Sequence, residues 1–293
     1  MECHDRKDPL QTDVHGYGGM TPKVSIVFTA YNAEQFIETS VSAALAQDYA
    51  NFEVVVVDDG STDSTERICK GVLDPRFRYI KKDRIGRSQA LNEAISLAEG
   101  DFIAINDVDD LSFPFRLSYV MRLFENKPAL LLIGTEVETT EEFLRELPEG
   151  THGEDDFHKD QLSIVSKKQL YLGSPFAHST VVFRKDAWRK AEGYNEKLEM
   201  CVDFDFYLRI ARLGDVGQLP RKTVIRFINR NSFYMTKKTS VFLKTSFAMK
   251  EQFRRDLQLP LWLKLYDLKF LIKYSARLIK QRCIYNSLVS KES

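Results

Sequence analysis

The sequence predicts an α/β protein whose mostly parallel central sheet is flanked by helices on both faces. Three observations carry this. From Lys23 onward, short apolar runs alternate with segments of helical periodicity, as consecutive strand–helix–strand units require. Several runs are apolar almost without interruption, the pattern of strands buried on both faces. Acidic clusters follow two of these runs directly, where an open α/β sheet holds its ligands.

The elements read in order. Val24 to Thr29 is a strand, and Ala33 to Gln47 a helix with Phe36, Val41, Ala44 and Leu45 near one face. Phe52 to Val57 is a Val-rich buried strand. Asp63 to Val72 is a short helix, with Ser61 or Thr62 to cap it and Asp63 and Glu66 favouring its first turn. Phe77 to Lys81 is a strand, and Ser88 to Ala98 a helix closed by Gly100. Phe102 to Ile105 is a strand, Pro114 to Asn126 a helix with proline in its first turn, and Leu130 to Ile133 a strand. The rhythm breaks after Gly134. Glu136 to Asp160 is strongly acidic and reads either as a solvated loop and helix face or as a flap over a substrate pocket. Strand-like sequence returns at Ser179 to Arg184, and helical sequence at Asp203 to Leu213.

Composition removes several function classes. The chain of 293 residues has 42 Lys+Arg against 42 Asp+Glu, so it lacks the basic excess of a nucleic-acid binder. No apolar run is long enough to span a membrane, and the polar N-terminus is no secretory signal. Cys3, Cys69, Cys201 and Cys283 are too scattered for a zinc pattern or a disulfide framework, which points to a reducing, cytoplasmic compartment. The organisation expected is a flexible leader (1–22), a catalytic domain (23–235) split into a nucleotide-binding half (23–134) and an acceptor half (135–235), and a basic amphipathic helical extension (236–293).

Two acidic clusters carry the chemistry. Val57-Asp58-Asp59-Gly60-Ser61 and Ile105-Asn106-Asp107-Val108-Asp109-Asp110 both follow buried strands and so face one crevice. Clustered carboxylates repel one another, and a site built from them holds a cation. Asp107 and Asp109 offer oxygen donors only, which suits Mg²⁺ or Mn²⁺ and not Zn²⁺. A third cluster, Val202-Asp203-Phe204-Asp205, opens the last helix. There Asp203 reads either as an N-cap or as a general base inside a pocket.

These pieces, together with Val24 to Asn32, Gly86, Ala90-Leu91-Asn92, Gly100-Asp101, Pro175 to Thr180, Gly193-Tyr194 and Asp203 to Arg209, run in one order over about Lys23 to Gly217. In that order the sequence resembles the family 2 glycosyltransferases: inverting, metal-dependent, nucleotide-sugar enzymes of the GT-A fold. The resemblance implies that Ala30, Tyr31 and Asn32 line a nucleotide pocket. It implies that Asp59 accepts a hydrogen bond from the base edge, supported by Asp58, and that Arg87 contacts the diphosphate. Asp109 becomes the direct metal ligand, with Asp107 nearer the ribose, and Asp203 the catalytic base. The donor is then a UDP, dTDP or GDP sugar, the acceptor a sugar or lipid-linked glycan hydroxyl, and the setting surface polysaccharide or lipid-linked glycan assembly. Where the family often has Glu-Asp, this chain has Val202-Asp203, one carboxylate fewer with the base retained.

A single base opposite the diphosphate implies single displacement and inversion. His178 is a candidate contact to diphosphate or acceptor, or a hydrogen-bonded structural histidine. A non-catalytic nucleotide-sugar binder or sensor on the same fold is the alternative. Gln252-Phe253-Arg254-Arg255-Asp256 imitates the Gln-x-x-Arg-Trp of processive synthases but lacks its Trp. The segment Leu261 to Arg282 aligns Leu261, Leu265, Leu268, Ile272 and Ile279 near one helical face and Lys269, Lys273, Arg277 and Lys280 near another. That stripe suits packing on the domain or lying peripherally on the inner face of a membrane.

Overall fold

The computed structural model describes residues 21–148, 161–228 and 239–268. The sheet is built around β1 (Val24–Ala30), with β2 (Phe52–Asp59) and β4 (Phe102–Ile105) parallel on either side of it. β3 (Phe77–Lys82) adds outside β2, again parallel. The crossovers carry α1 (Ile37–Leu45), α2 (Thr65–Lys70) and α3 (Arg87–Leu97). The order β3-β2-β1-β4 reverses direction beside β1, so the carboxyl ends of β1, β2 and β4 share one edge.

Both faces of this half are buried, as the apolar runs require. Val27, Val55, Val57, Ile103 and Ile105 pack with Ala90 and Leu91 of α3 and with Phe206 and Ile210 of α7 (Val202–Leu213). Ile26, Phe28, Val54, Val56 and Phe102 pack on the other side with Ile37 and Val41 of α1 and with Leu117 and Val120 of α4 (Arg116–Asn126). At ~25 cal/mol per Å² of apolar surface, this double burial is the main force holding the sheet together.

Beyond β4 the sheet continues as β8 (Val182–Arg184), β6 (Leu130–Thr140), β9 (Asp215–Phe227) and β5 (Asp110–Ser112), with β7 (Ser163–Ile164) also on β9. β8 runs antiparallel to β4 and β6, while the long β6–β9 ladder is parallel, so paired residues remain mostly parallel overall. Short helices α5 (Lys167–Leu172) and α6 (Lys185–Lys190) flank this half, and α8 (Thr239–Asp256) packs Phe253 into the core.

Several expectations are corrected. The first helix starts at Ile37, not Ala33, because the backbone leaves the helical region at Phe36 (φ −121°); the preceding Ala33 and Glu34 amides are held by Thr65 Oγ1 and Asp63 Oδ2. Ser64, not Ser61 or Thr62, stands at the N-cap of α2, and Ser61 instead accepts from the Asn32 amide. Gly100 does not cap α3, which ends at Leu97. A Cβ on Gly100 would lie 2.7 Å from the Ser25 amide, so glycine serves the close approach to β1. The acidic stretch is no loop at its start: β6 runs on through Glu136 and Glu138 to Thr140, held by β9. Its end, 149–160, lies outside the described residues, as do the leader residues 1–20. Ser179 to Arg184 divides into a 3₁₀ turn (His178–Thr180) and β8. Asp203 is not an N-cap. Cys201 is, in a left-handed backbone (φ 59°), which puts Asp203 in the first turn of α7.

At the C-terminal end a 3₁₀ turn (Leu261–Leu263) runs into helix up to residue 268. The buried anchor is Leu263, outside the expected stripe, and Asp267 accepts from Tyr171 Oη at 2.5 Å. Leu261, Leu265 and Leu268 of the stripe are exposed instead. Residues 269–282 lie outside the described residues.

Candidate active site

The carboxyl edge of β1, β2 and β4 collects the expected residues. Ala30 is the last residue of β1 and is buried, while Tyr31 projects and Asn32 turns the chain at φ 48°. Asn32 is spent on loop structure: its amide donates to Ser61 Oγ and its Oδ1 accepts from the Thr62 amide, both at 2.9 Å. Asp58 is wholly buried, accepting from the Ser61 amide at 2.8 Å and from Tyr79 Oη at 2.5 Å. It faces no ligand. It braces the turn that presents Asp59.

Asp59 meets the segment 84–87. Its Oδ1 accepts from the Ile85 and Gly86 amides at 2.6 and 2.9 Å. Its Oδ2 accepts from Arg84 Nη1 at 2.6 Å, and the Arg84 guanidinium lies 3.4 Å from the Tyr31 ring centroid. Arg84 is exposed, so this cation covers an aromatic face and a carboxylate edge that a planar base would also fit. Nothing in the sequence marks Arg84 for this place, because its two partners come from distant loops.

One residue on, Arg87 turns to the second cluster. Its Nη2 donates to Asp107 Oδ1 at 2.5 Å. Asp107, then Asp203 and Asp109, hold the guanidinium's pKa above its usual value. Burial pushes the Asp107 carboxyl up, but the charge and hydrogen bond of Arg87 together with His178 and Arg226 outweigh it and leave the group below the usual range. The next carboxylate, Asp110, is raised well above that range by burial and by Asp107. Beneath them Arg116, fully buried, donates to Asn106 Oδ1 and the Ile105 carbonyl, both at 2.8 Å, and fixes the loop after β4. Burial lowers its pKa to about 9.

The third cluster completes the group. Asp203, in the first turn of α7, is half-buried. Arg209 ties α7 to its neighbours, donating to Asp205 Oδ2 at 2.8 Å and to the Gly193 carbonyl at 2.6 Å. His178 Nδ1 lies 2.8 Å from Tyr207 Oη, and its ring stands edge-on to Tyr194 at 5.7 Å. Tyr207 went unassigned in the sequence, although it sits one helical turn from Asp203 and so shares its face. The Gln252–Asp256 segment lies in α8 with Phe253 in the core.

Asp107 and Asp109 are hard oxygen donors on one short loop, and Arg87 already places positive charge against them. Among the described residues no group of three or more His, Cys, Asp or Glu side chains forms an all-protein cage. Two carboxylates of this kind are the donor chemistry of Mg²⁺ and Mn²⁺ sites that substrate phosphates complete.

The sequence pattern of the family described as Glycosyl transferase family 2 matches residues 25–190. EpsE of Bacillus subtilis (strain 168), a protein named for glycosyltransferase activity, is 30% identical over 86% of this chain and 89% of its own length. The hyaluronan synthase of Pasteurella multocida is 28% identical over 79% of this chain, which spans only 23% of that larger protein. In structure, S. aureus TarS bound to UDP-GlcNAc superposes with TM-score 0.61 at 19% identity, covering 84% of this chain and 79% of that one. The mannosyltransferase PcManGT of Pyrobaculum calidifontis, bound to GDP-Man and Mn²⁺, gives TM-score 0.56 at 21% identity over 74% of this chain and 60% of that one. At such identities the superpositions establish the GT-A fold alone. The family pattern and the EpsE relationship go further, and by them the chain belongs to glycosyl transferase family 2.

Proposed function

We propose that this glycosyltransferase moves a sugar from a nucleoside-diphosphate donor to a hydroxyl acceptor by single displacement, inverting the anomeric configuration. The observation that carries this is the segment 84–87. It holds Asp59 at one end and Asp107 at the other, and its Arg87 feels Asp109 and Asp203. Three acidic spots thus act on one short stretch of chain, which supports a single donor that meets all three. Solved relatives of this fold hold UDP-GlcNAc or GDP-Man with Mn²⁺, which supports a donor of UDP, GDP or dTDP type.

In this reading the base stacks at Tyr31 beside Ala30 and Asn32. Its N–H donates to Asp59 Oδ2 in place of Arg84, with Asp58 bracing the turn. A carboxylate there suits uracil, thymine or guanine. Asp109 and Asp107 would hold a divalent ion, which when bound supplies charge stabilisation to the departing diphosphate. Arg87 and His178 lie where diphosphate or acceptor oxygens would come. Asp203 takes the proton of the acceptor hydroxyl, a contribution of ~10²–10⁴-fold. Val202, half-buried against the core, replaces the second carboxylate without removing the base.

Asp203→Asn tests the mechanism: sugar transfer should fall by about 10²-fold or more while donor-induced stabilisation persists. Unchanged transfer would show that Asp203 is not the base and would reopen the binder or sensor alternative. A thermal-shift panel of UDP, GDP and dTDP sugars, with and without Mn²⁺, identifies the donor. Asp109→Asn should erase any Mn²⁺ dependence.

The acceptor is proposed to be a glycan of surface-polysaccharide or lipid-linked type, reached from the inner face of a membrane. Exposed Leu261, Trp262, Leu265, Tyr266 and Leu268 support this, since aromatic and aliphatic side chains beside lysines suit an interfacial segment. No helix among the described residues is long and apolar enough to cross a membrane. Substituting Lys269, Lys273 and Arg277 by Glu should sharply reduce binding to anionic liposomes. A parent protein that does not bind them removes the membrane proposal.

A further inference from the structure

His178 carries a polar atom without a partner. Its Nδ1 is paired with Tyr207 Oη at 2.8 Å, while its Nε2 is buried and has no hydrogen-bond partner. Buried polar atoms are nearly always paired, so an orphan beside charged groups calls for a missing ligand. The surroundings are those of the site: His178 feels the charges of Asp107, Arg87 and Asp203.

The direction of the Tyr207 bond decides what Nε2 can do. Tyr207 is fully buried, and His178 Nδ1 is the one hydrogen-bond partner given to its hydroxyl among the described residues. A phenol has one proton to donate, and leaving it unmade is the costlier choice. Tyr207 therefore donates to Nδ1, which leaves the proton of a neutral imidazole on Nε2. The free atom is then a donor and asks for an acceptor oxygen. Both a hydroxyl and a phosphate oxygen can accept, but a donor held on the attacking hydroxyl would weaken the nucleophile. A phosphate oxygen carries full negative charge and makes the stronger, charge-assisted bond. Tyr194, edge-on to the imidazole, holds the ring against rotation.

We propose that His178 Nε2–H donates to a diphosphate oxygen of the donor, and that Tyr207 is the positioning residue that fixes the tautomer able to do so. The proposal rests on the nucleotide-sugar reading above and adds to it a residue, Tyr207, and a direction of hydrogen bonding.

The test uses the full chain in two arms. In the first, ¹⁵N NMR of the imidazole in the ligand-free protein reads the tautomer directly. Nε2 should carry the proton, and Tyr207→Phe should shift the ring towards a mixture. A proton on Nδ1 in the parent overturns the proposal whatever the donor turns out to be. In the second arm, affinity is measured for UDP, GDP and dTDP and for their parent nucleosides. His178→Ala should weaken the diphosphate that binds by about ten-fold and leave its nucleoside unchanged. His178→Gln should recover part of that loss, because its amide N–H reaches a similar place. Tyr207→Phe should fall between. Equal losses for diphosphate and nucleoside, or no Gln rescue, mark a merely structural histidine and overturn the assignment. If the parent binds none of the three diphosphates, the nucleotide-sugar reading itself has failed and this inference falls with it.

Discussion

Asp59 shows how much a single side chain is asked to do. Both of its oxygens are engaged, Oδ1 by the Ile85 and Gly86 amides and Oδ2 by Arg84, with the Gly86 amide also reaching Oδ2 at 3.2 Å. Arg84 is the exposed side chain among these partners, so Oδ2 is the oxygen a base N–H could take in its place. Asp59→Asn is isosteric and can still accept from both amides, but it turns the exchangeable acceptor into a donor. The variant should keep its melting temperature within a few degrees and lose about ten-fold or more in nucleotide affinity, read by calorimetry. Equal affinity would mean that the base is read elsewhere. The pair Asp58-Asp59 was legible in the sequence as a cluster after a strand. The division of partners between these two buried carboxylates was not, because it depends on Tyr79 and Arg84, which arrive from other parts of the chain.

At the scale of elements, the hydrophobic code reads well where strands are buried on both faces and poorly where they are not. β1, β2 and β4 are apolar runs, and their limits follow the sequence within a residue or two. β9 is mixed in polarity and contains Pro220, an unlikely strand residue by pattern. Its ladder tolerates the proline because Pro220 falls between the β7-paired residues Gly217–Gln218 and the β5-paired residues Val224–Arg226. β6 runs past the apolar stretch because β9 supplies its hydrogen bonds, a tertiary fact that periodicity cannot carry. The loop after β4 is likewise set from below by Arg116. Arg116→Met should cost on the order of 3 kcal/mol, since it removes the charged donor to the Ile105 carbonyl and leaves Asn106 Oδ1 with Ser112 Oγ alone. Denaturant melts should show that loss of stability. A change under 1 kcal/mol would mean that the network is dispensable.

Over the whole molecule, surface carboxylates set the acid limit. Hydrogen bonds from Lys70 and Lys81 bring Glu66 from its ordinary 4.5 down to about 2. Arg76 lowers Asp74, Lys23 lowers Glu99, and Arg254 with Arg255 lowers Glu251. Each group binds its proton more weakly in the folded chain than in the unfolded one. Their contribution is therefore complete above the ordinary carboxylate values and disappears as pH falls from about 4.5 towards about 2. As these groups protonate, calorimetric melting temperatures should decline from about pH 4.5 downward, less steeply in high salt because these pairs are exposed. A level profile down to pH 3 would contradict the assignment.

The four residues from Arg84 to Arg87 have one more consequence. They grip Asp59 with three of their members and Asp107 with the fourth, so on the proposed reading each end of a donor displaces an arginine of the same short span and rearranges it. Two half-molecules, one carrying the base and one the phosphates, would each bear the full cost of that rearrangement. Joined covalently they would bear it once, and the intact donor should bind more tightly than its fragments' separate affinities would suggest.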